Sequence, residues 1–197
     1  TGGRATSEHF DLGVCGVQEE SENHILMTEV SRYLTNQLRL KDGIANGKTM
    51  AQLSEFDNSR NGLSQWMLMH LQKFMKLEFR EYNARPYQGY TVEALAVLYE
   101  FSDDPRVKIA AQNLLDYLAA KFAIQSAALK RAPPYRRLPQ FQNENRLLWN
   151  ETEHARYSML TGINKPYLQR APVGYVNDGV AFMLIAALGQ YRVPSPI

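Results

Sequence analysis

Apolar side chains recur along this chain at helical spacing, and no alternating pattern is long enough to make a convincing strand. After Ser21, a residue type that caps helices, Leu26, Val30, Tyr33, Leu34, Gln37 and Leu38 share one face. Glu29, Arg32 and Asn36 lie opposite, and Lys41-Asp42-Gly43 ends the segment. A second helix is expected from about Asn58 to Phe79, with Leu63, Trp66, Met67, His70, Phe74 and Leu77 as its apolar stripe. The polar loop that follows contains Pro86, which has no place in a helix interior. A third helix is expected over Gly89 to Phe101.

Asp103-Asp104-Pro105 predicts the start of a fourth helix, a carboxylate cap followed by proline in the first turn. Its inward face is Val107, Ala111, Leu114, Leu115, Leu118 and Phe122. Three prolines between Ala132 and Pro139 exclude regular helix there and make the longest loop. A weaker helix is expected from near Asn150 to before Gly162. A last one follows Asn177-Asp178, with Val180, Met183, Leu184, Ala187, Leu188 and Tyr191 facing inward.

The fold class that follows is all-α, helical hairpins forming part or all of an (α/α) toroid, an incomplete barrel. The helix-loop-helix unit recurs about every 40 to 50 residues, a spacing typical of helical-pair arrays. Residues 1–20, with Gly2, Gly3, Gly13 and Gly16 and no helical period, are expected to be irregular, and residues 21–197 form the all-helical domain.

Composition narrows the function. With 197 residues, 45% of them hydrophobic, the chain can bury a core of one or at most two domains. A net charge of +2 with scattered Lys and Arg gives no basic footprint for nucleic acid. No apolar run approaches the roughly 20 residues of a membrane span, so the chain reads as soluble. Cys15 is the single cysteine, which excludes an internal disulfide and a cysteine metal cluster. Thr1 stands where Met would begin a primary product, as expected of a processed chain or a piece of a larger protein.

Two segments carry candidate chemistry, Ser21 to His24 and Arg80 to Tyr87. His24 falls in the first turn of its helix, where the positive end of the dipole disfavours the imidazolium that a general base must not be. Asn23 stands beside it. The bland alternative is a capping cluster in which His24 merely packs. The loop from Arg80 to Tyr87 presents Arg80, Arg85, Tyr82 and Tyr87, with Tyr90 one turn on, and rigidly held loops often carry binding groups. Arginine matches a carboxylate with a two-pronged fork. Alternatively the aromatics pack and the arginines are solvated.

Asn23-His24 at a helix start, with Arg80 and Tyr87 downstream, resembles the pattern of the alginate lyase-like and chondroitin AC lyase-like (α/α) toroid proteins. The run from Tyr87 to Leu95 is similar to the stretch where their catalytic tyrosine opens a helix lining the sugar cleft. The resemblance covers roughly Ser21 to Phe122. It implies a polysaccharide lyase that cleaves an acidic, uronate-containing polysaccharide by β-elimination, with no cofactor or metal. His24 and Tyr87 would be catalytic. Asn23, Arg80, Arg85, Tyr90 and Trp149 would bind the substrate. Asn23 and Arg80 would neutralise the uronate carboxylate, His24 or Tyr87 would take the proton from carbon 5, and Tyr87 would protonate the departing oxygen.

The implied partner is an acidic polysaccharide or oligosaccharide, and the implied location extracellular or periplasmic. The pattern commonly has a second asparagine where this chain has Glu22, which would repel an anionic substrate unless it turns away. A complete toroid also needs more helices than the roughly six visible here.

Two other readings stand beside this one. A glycoside hydrolase on the same scaffold would pair Glu151 or Glu153, near Trp149 and His154, with another carboxylate such as Glu22. A non-catalytic helical domain that binds a glycan or a protein would scatter Asn23, His24, Arg80 and Tyr87 among separate pockets. Tyr135-Arg136-Arg137 is an outer-subsite candidate or simply exposed, and His70, on the apolar stripe, is expected in the core.

Overall fold

In the computed structural model, the described residues are 9–11, 17–19, 21–84, 87–127, 130–131, 157, 160–162 and 184–197. The described residues are mostly helical with almost no strand, which makes the class all-α. Within the segment expected to be irregular, β1 (His9–Asp11) pairs antiparallel with β2 (Val17–Glu19). Further along, β3 (Ser126–Ala127) pairs antiparallel with β4 (Lys130–Arg131).

Among the described residues, four long helices carry the fold. α1 (Glu22–Ala45) starts behind Ser21 as the sequence predicts and runs past Gly43 to Asn46, where Gly47 turns the chain at φ 76°. α2 (Leu63–Leu77) starts five residues later than the apolar spacing predicts. Local hydrogen bonding explains the delay. Asp57 Oδ1 accepts the Ser59 N–H at 3.0 Å and the hydroxyl at 2.6 Å, Asn61 Oδ1 accepts the Leu63 N–H at 2.8 Å, and Gly62 holds φ 90°. These bonds favour a turn over helix until Leu63.

α3 (Tyr87–Phe101) is buried nearly all round, through Gln88, Thr91, Val92, Ala94, Leu95, Ala96 and Leu98. That is the signature of a helix packed on more than one side. α4 (Pro105–Ile124) begins as predicted, with Asp104 Oδ1 accepting the Arg106 N–H at 2.9 Å and Pro105 in the first turn. All six of its predicted inward residues are buried.

α3 packs on α4 and on α1, α2 packs on α4, and α1 barely meets α2. The core between them is built from Leu26, Val30 and Tyr33, from Leu63, Met67, Leu71 and Phe74, and from Val92, Leu95, Leu98, Leu114 and Leu118. Each fully buried leucine contributes about 1.5–3 kcal/mol relative to exposure. His70 is buried as expected, stacked on Trp66 at 4.6 Å and edge-on to Phe74 at 4.8 Å.

Two faces differ from the expectation. On α1, Asn36 and Glu29 are buried while Leu38 is 69% exposed. The segment 46–62 covers that side of α1, and Asn58 from it meets Asn36 Nδ2 with its Oδ1 at 2.7 Å and donates to the Tyr33 carbonyl at 2.9 Å. A polar position is thereby buried with its hydrogen bonds made.

In the last helix, 184–188, Leu184, Ala187 and Leu188 face outward, whereas Ala186 and Tyr191 are buried. The chain leaves the helix at Gly189, and the following strap fixes which side is covered. Gln190 N–H donates to Glu100 at 2.7 Å, the Tyr191 hydroxyl donates to Asp116 at 2.8 Å, and Val193 N–H reaches the Leu160 carbonyl at 2.9 Å. Val180 and Met183 lie outside the described residues. No helix among the described residues is long and apolar enough to cross a membrane.

Candidate functional site

The two segments that carry the candidate chemistry are neighbours in the fold, and Glu22 joins them. Its carboxylate, in the first turn of α1, accepts the backbone N–H of Arg80 at 2.8 Å and of Glu81 at 2.5 Å. The Glu22 side chain therefore points at the backbone of the loop between α2 and α3. Burial raises its pKa, opposed by the N–H groups of Glu81 and Arg80, while the nearby Glu81 carboxylate adds to the rise.

That loop, 78–84, is held in an unusual shape. Glu78 has φ 68° and Asn83 φ 59°, two non-glycine residues with positive φ within six positions. Such conformations cost of order 1–3 kcal/mol each and persist only where the surroundings enforce them. Here three helices do so. From α3, Gln88 Oε1 accepts the buried Asn83 N–H at 2.7 Å. From α4, Lys121 and the Tyr117 hydroxyl both donate to the Glu78 carboxylate. The Lys121 ammonium also lies 3.9 Å from the centre of the Tyr82 ring, whose hydroxyl donates to Gln125 at 2.7 Å. Glu22 supplies the anchor from α1.

On this frame the predicted site residues take distinct positions. His24 is exposed, whereas Asn23, one residue earlier, is only 5% exposed and accepts the Ser21 hydroxyl on Oδ1 at 2.9 Å. The Ser21 side chain caps no backbone amide of α1. Arg80 is exposed, its backbone held by Glu22. Tyr87 and Tyr90 are half-buried at the start of α3 and meet edge to face at 6.3 Å. Arg85 and Trp149 lie outside the described residues, as do Glu151, Glu153, His154 and Tyr135-Arg136-Arg137.

The junction thus brings the start of α1 against the backbone of one braced loop, with Tyr87 and Tyr90 meeting at the start of α3. Among the described residues no group of three or more His, Cys, Asp or Glu is placed to hold a metal ion. The bracing residues Glu78, Gln88, Tyr117, Lys121 and Gln125 were not singled out by the sequence. Only Asn83 carried a signal, because asparagine tolerates positive φ better than most residues. Comparison with protein-family models, curated proteins and solved structures finds no match to this chain.

Proposed function

We propose that the junction of α1, the 78–84 loop and α3 binds an acidic polysaccharide and cleaves it by β-elimination at a uronate residue. The observation that carries this reading is the Glu22 bridge. It brings the helix start bearing His24 against the loop bearing Arg80, and it turns the Glu22 carboxylate, which would have repelled an anionic sugar, toward backbone. The α3–α4 hairpin, whose two helices pack on each other, is the kind of unit from which an (α/α) toroid-type arrangement would be built.

In this mechanism the exposed Arg80 neutralises the uronate carboxylate. That charge must be masked for the adjacent carbon 5 to lose its proton, and stabilising the enolate-like intermediate is the principal electrostatic task. His24 or Tyr87 takes the proton, the electron pair forms the double bond between carbons 4 and 5, and the bond from carbon 4 to the glycosidic oxygen breaks. Tyr87 delivers the proton to that oxygen. Asn23, buried and bonded to the Ser21 hydroxyl, helps shape the start of α1 and does not take the carboxylate-neutralising role that the resemblance implies for it.

The hydrolase rival, which pairs Glu151 or Glu153 with another carboxylate such as Glu22, would use Glu22 as an acid. Its raised pKa suits that role, but both of its oxygens already accept backbone N–H groups. Product mass separates the two, since elimination yields a chain end lighter by one water than hydrolysis does. Oligouronates incubated with the protein should give the lighter end, and the hydrated end alone would reject the lyase reading.

A further inference from the structure

We propose that Asn46 is a site of spontaneous deamidation, and that the fold directs this chemistry to it rather than to Asn61. The chain has two Asn-Gly pairs, Asn46-Gly47 and Asn61-Gly62. In such a pair the backbone nitrogen of the glycine loses its proton and attacks the asparagine Cγ. An N–Cγ bond forms, the Cγ–Nδ2 bond breaks, and ammonia leaves a five-membered imide. Water then opens either imide carbonyl to give aspartate or isoaspartate at the asparagine position. Glycine favours the reaction because it has no side chain to hinder the approach, and neither Gly47 nor Gly62 has a neighbour within 4 Å of where a Cβ would stand. Local space therefore does not distinguish the pairs. Hydrogen bonding does.

Both ends of the Asn61 amide are held. Its Oδ1 accepts the N–H of Leu63, the first residue of α2, at 2.8 Å, and its Nδ2 donates to the Glu55 carbonyl at 2.7 Å. Its own N–H donates to the Asp57 carbonyl at 2.8 Å, and the next turn is closed by Ser64 N–H on the Asn58 carbonyl at 2.8 Å. Bringing the Gly62 nitrogen to the Asn61 Cγ requires breaking this set and displacing the start of α2.

Asn46 is exposed at the C-terminal cap of α1, and its side-chain bonds are donated by Nδ2 alone, to the Asp42 carbonyl at 2.8 Å and carboxylate at 3.1 Å. The backbone bonds match those around Asn61, with the Asn46 N–H on the Asp42 carbonyl at 2.9 Å, the Gly47 N–H on the Ile44 carbonyl at 3.0 Å and the Lys48 N–H on the Gly43 carbonyl at 3.0 Å. They lie, however, at a helix end, where opening is easiest, and the Asn46 Oδ1 does not hold the start of a helix as that of Asn61 does. The product places a carboxylate beside Asp42 at the negative end of the α1 dipole, where the neutral amide had donated to that residue.

The test is ageing of the intact, folded protein in mildly alkaline buffer, followed by peptide mapping with mass detection and chromatographic separation of aspartate from isoaspartate. The chain unfolded in urea serves as the reference, and Asn46→Gln identifies the peptide. Conversion at Asn46 is expected to run at least about tenfold ahead of Asn61 in the folded protein, given the side-chain bonds that Asn61 must surrender, and at a similar rate in urea. Equal rates at the two sites in the folded protein, a faster Asn61, or an Asn46 that converts in urea but not when folded would each overturn the proposal.

Discussion

Replacing Glu22 by Gln isolates the contact on which the candidate site depends. In the native protein two oxygens meet two backbone N–H groups, those of Arg80 and Glu81. Glutamine offers one oxygen and one NH2 group, so one of those N–H donors is left facing another donor. Losing a partner for a partly buried donor costs about 1–3 kcal/mol, while removing a desolvated charge returns part of that, for a net destabilisation of about 1–2 kcal/mol.

The pH dependence fixes the sign independently. Because burial raises the Glu22 pKa in the folded state, its protonated form is favoured by folding. The resulting stability is full below the ordinary value of 4.5 and is lost as pH rises through the higher folded value. Glu22→Gln should remove that slope. Urea denaturation at several pH values gives both quantities, and hydrogen exchange should show faster exchange at the Arg80 and Glu81 amides. A change under about 0.5 kcal/mol with unaltered exchange at those amides would refute the bridge as a structural tie.

Other consequences follow from single contacts. Asn58→Ala removes the acceptor for Asn36 and the donor to the Tyr33 carbonyl, and should cost about 1–3 kcal/mol in denaturant melts. Gly62→Ala meets open space but must hold φ 90°, so a loss of about 1–2 kcal/mol with no repacking is expected. Asp104→Ala removes the α4 cap and should cost about 1 kcal/mol. Since the hydrogen bond from the Arg106 side chain holds the Asp104 carboxyl below its ordinary value of 3.8, that stability is present above the ordinary value and disappears as pH falls through the lower folded one. The variant should therefore be less sensitive to acid than the parent.

How far the chain could be read from its sequence depended on whether the deciding interaction was local. Asp104-Pro105 announces α4 within three residues, and Ser21 marks the start of α1. The apolar period of α2 extends back over residues whose Asx-type bonds and left-handed Gly62 hold a turn, so the period alone predicts too early a start. The pattern of α1 puts Asn36 on the wet side because its partner, Asn58, is remote in sequence.

The same reasoning applies at the candidate site. The residues with reactive side chains were visible as residue types. The frame that holds them was not, since positive φ at Glu78 and its bonds to Tyr117 and Lys121 arise only when α4 packs beside the loop. Glu22, read as a misfit next to an anionic substrate, proves to be the tie between the two segments.

The central claim is the elimination chemistry, and ultraviolet absorbance tests it most directly. Mixed with a panel of uronate polysaccharides, the protein should produce the absorbance of unsaturated uronyl ends on at least one polymer, and a folded Tyr87→Phe variant should lose it. Absence of that signal on every polymer, or full retention of it by Tyr87→Phe, would contradict the account.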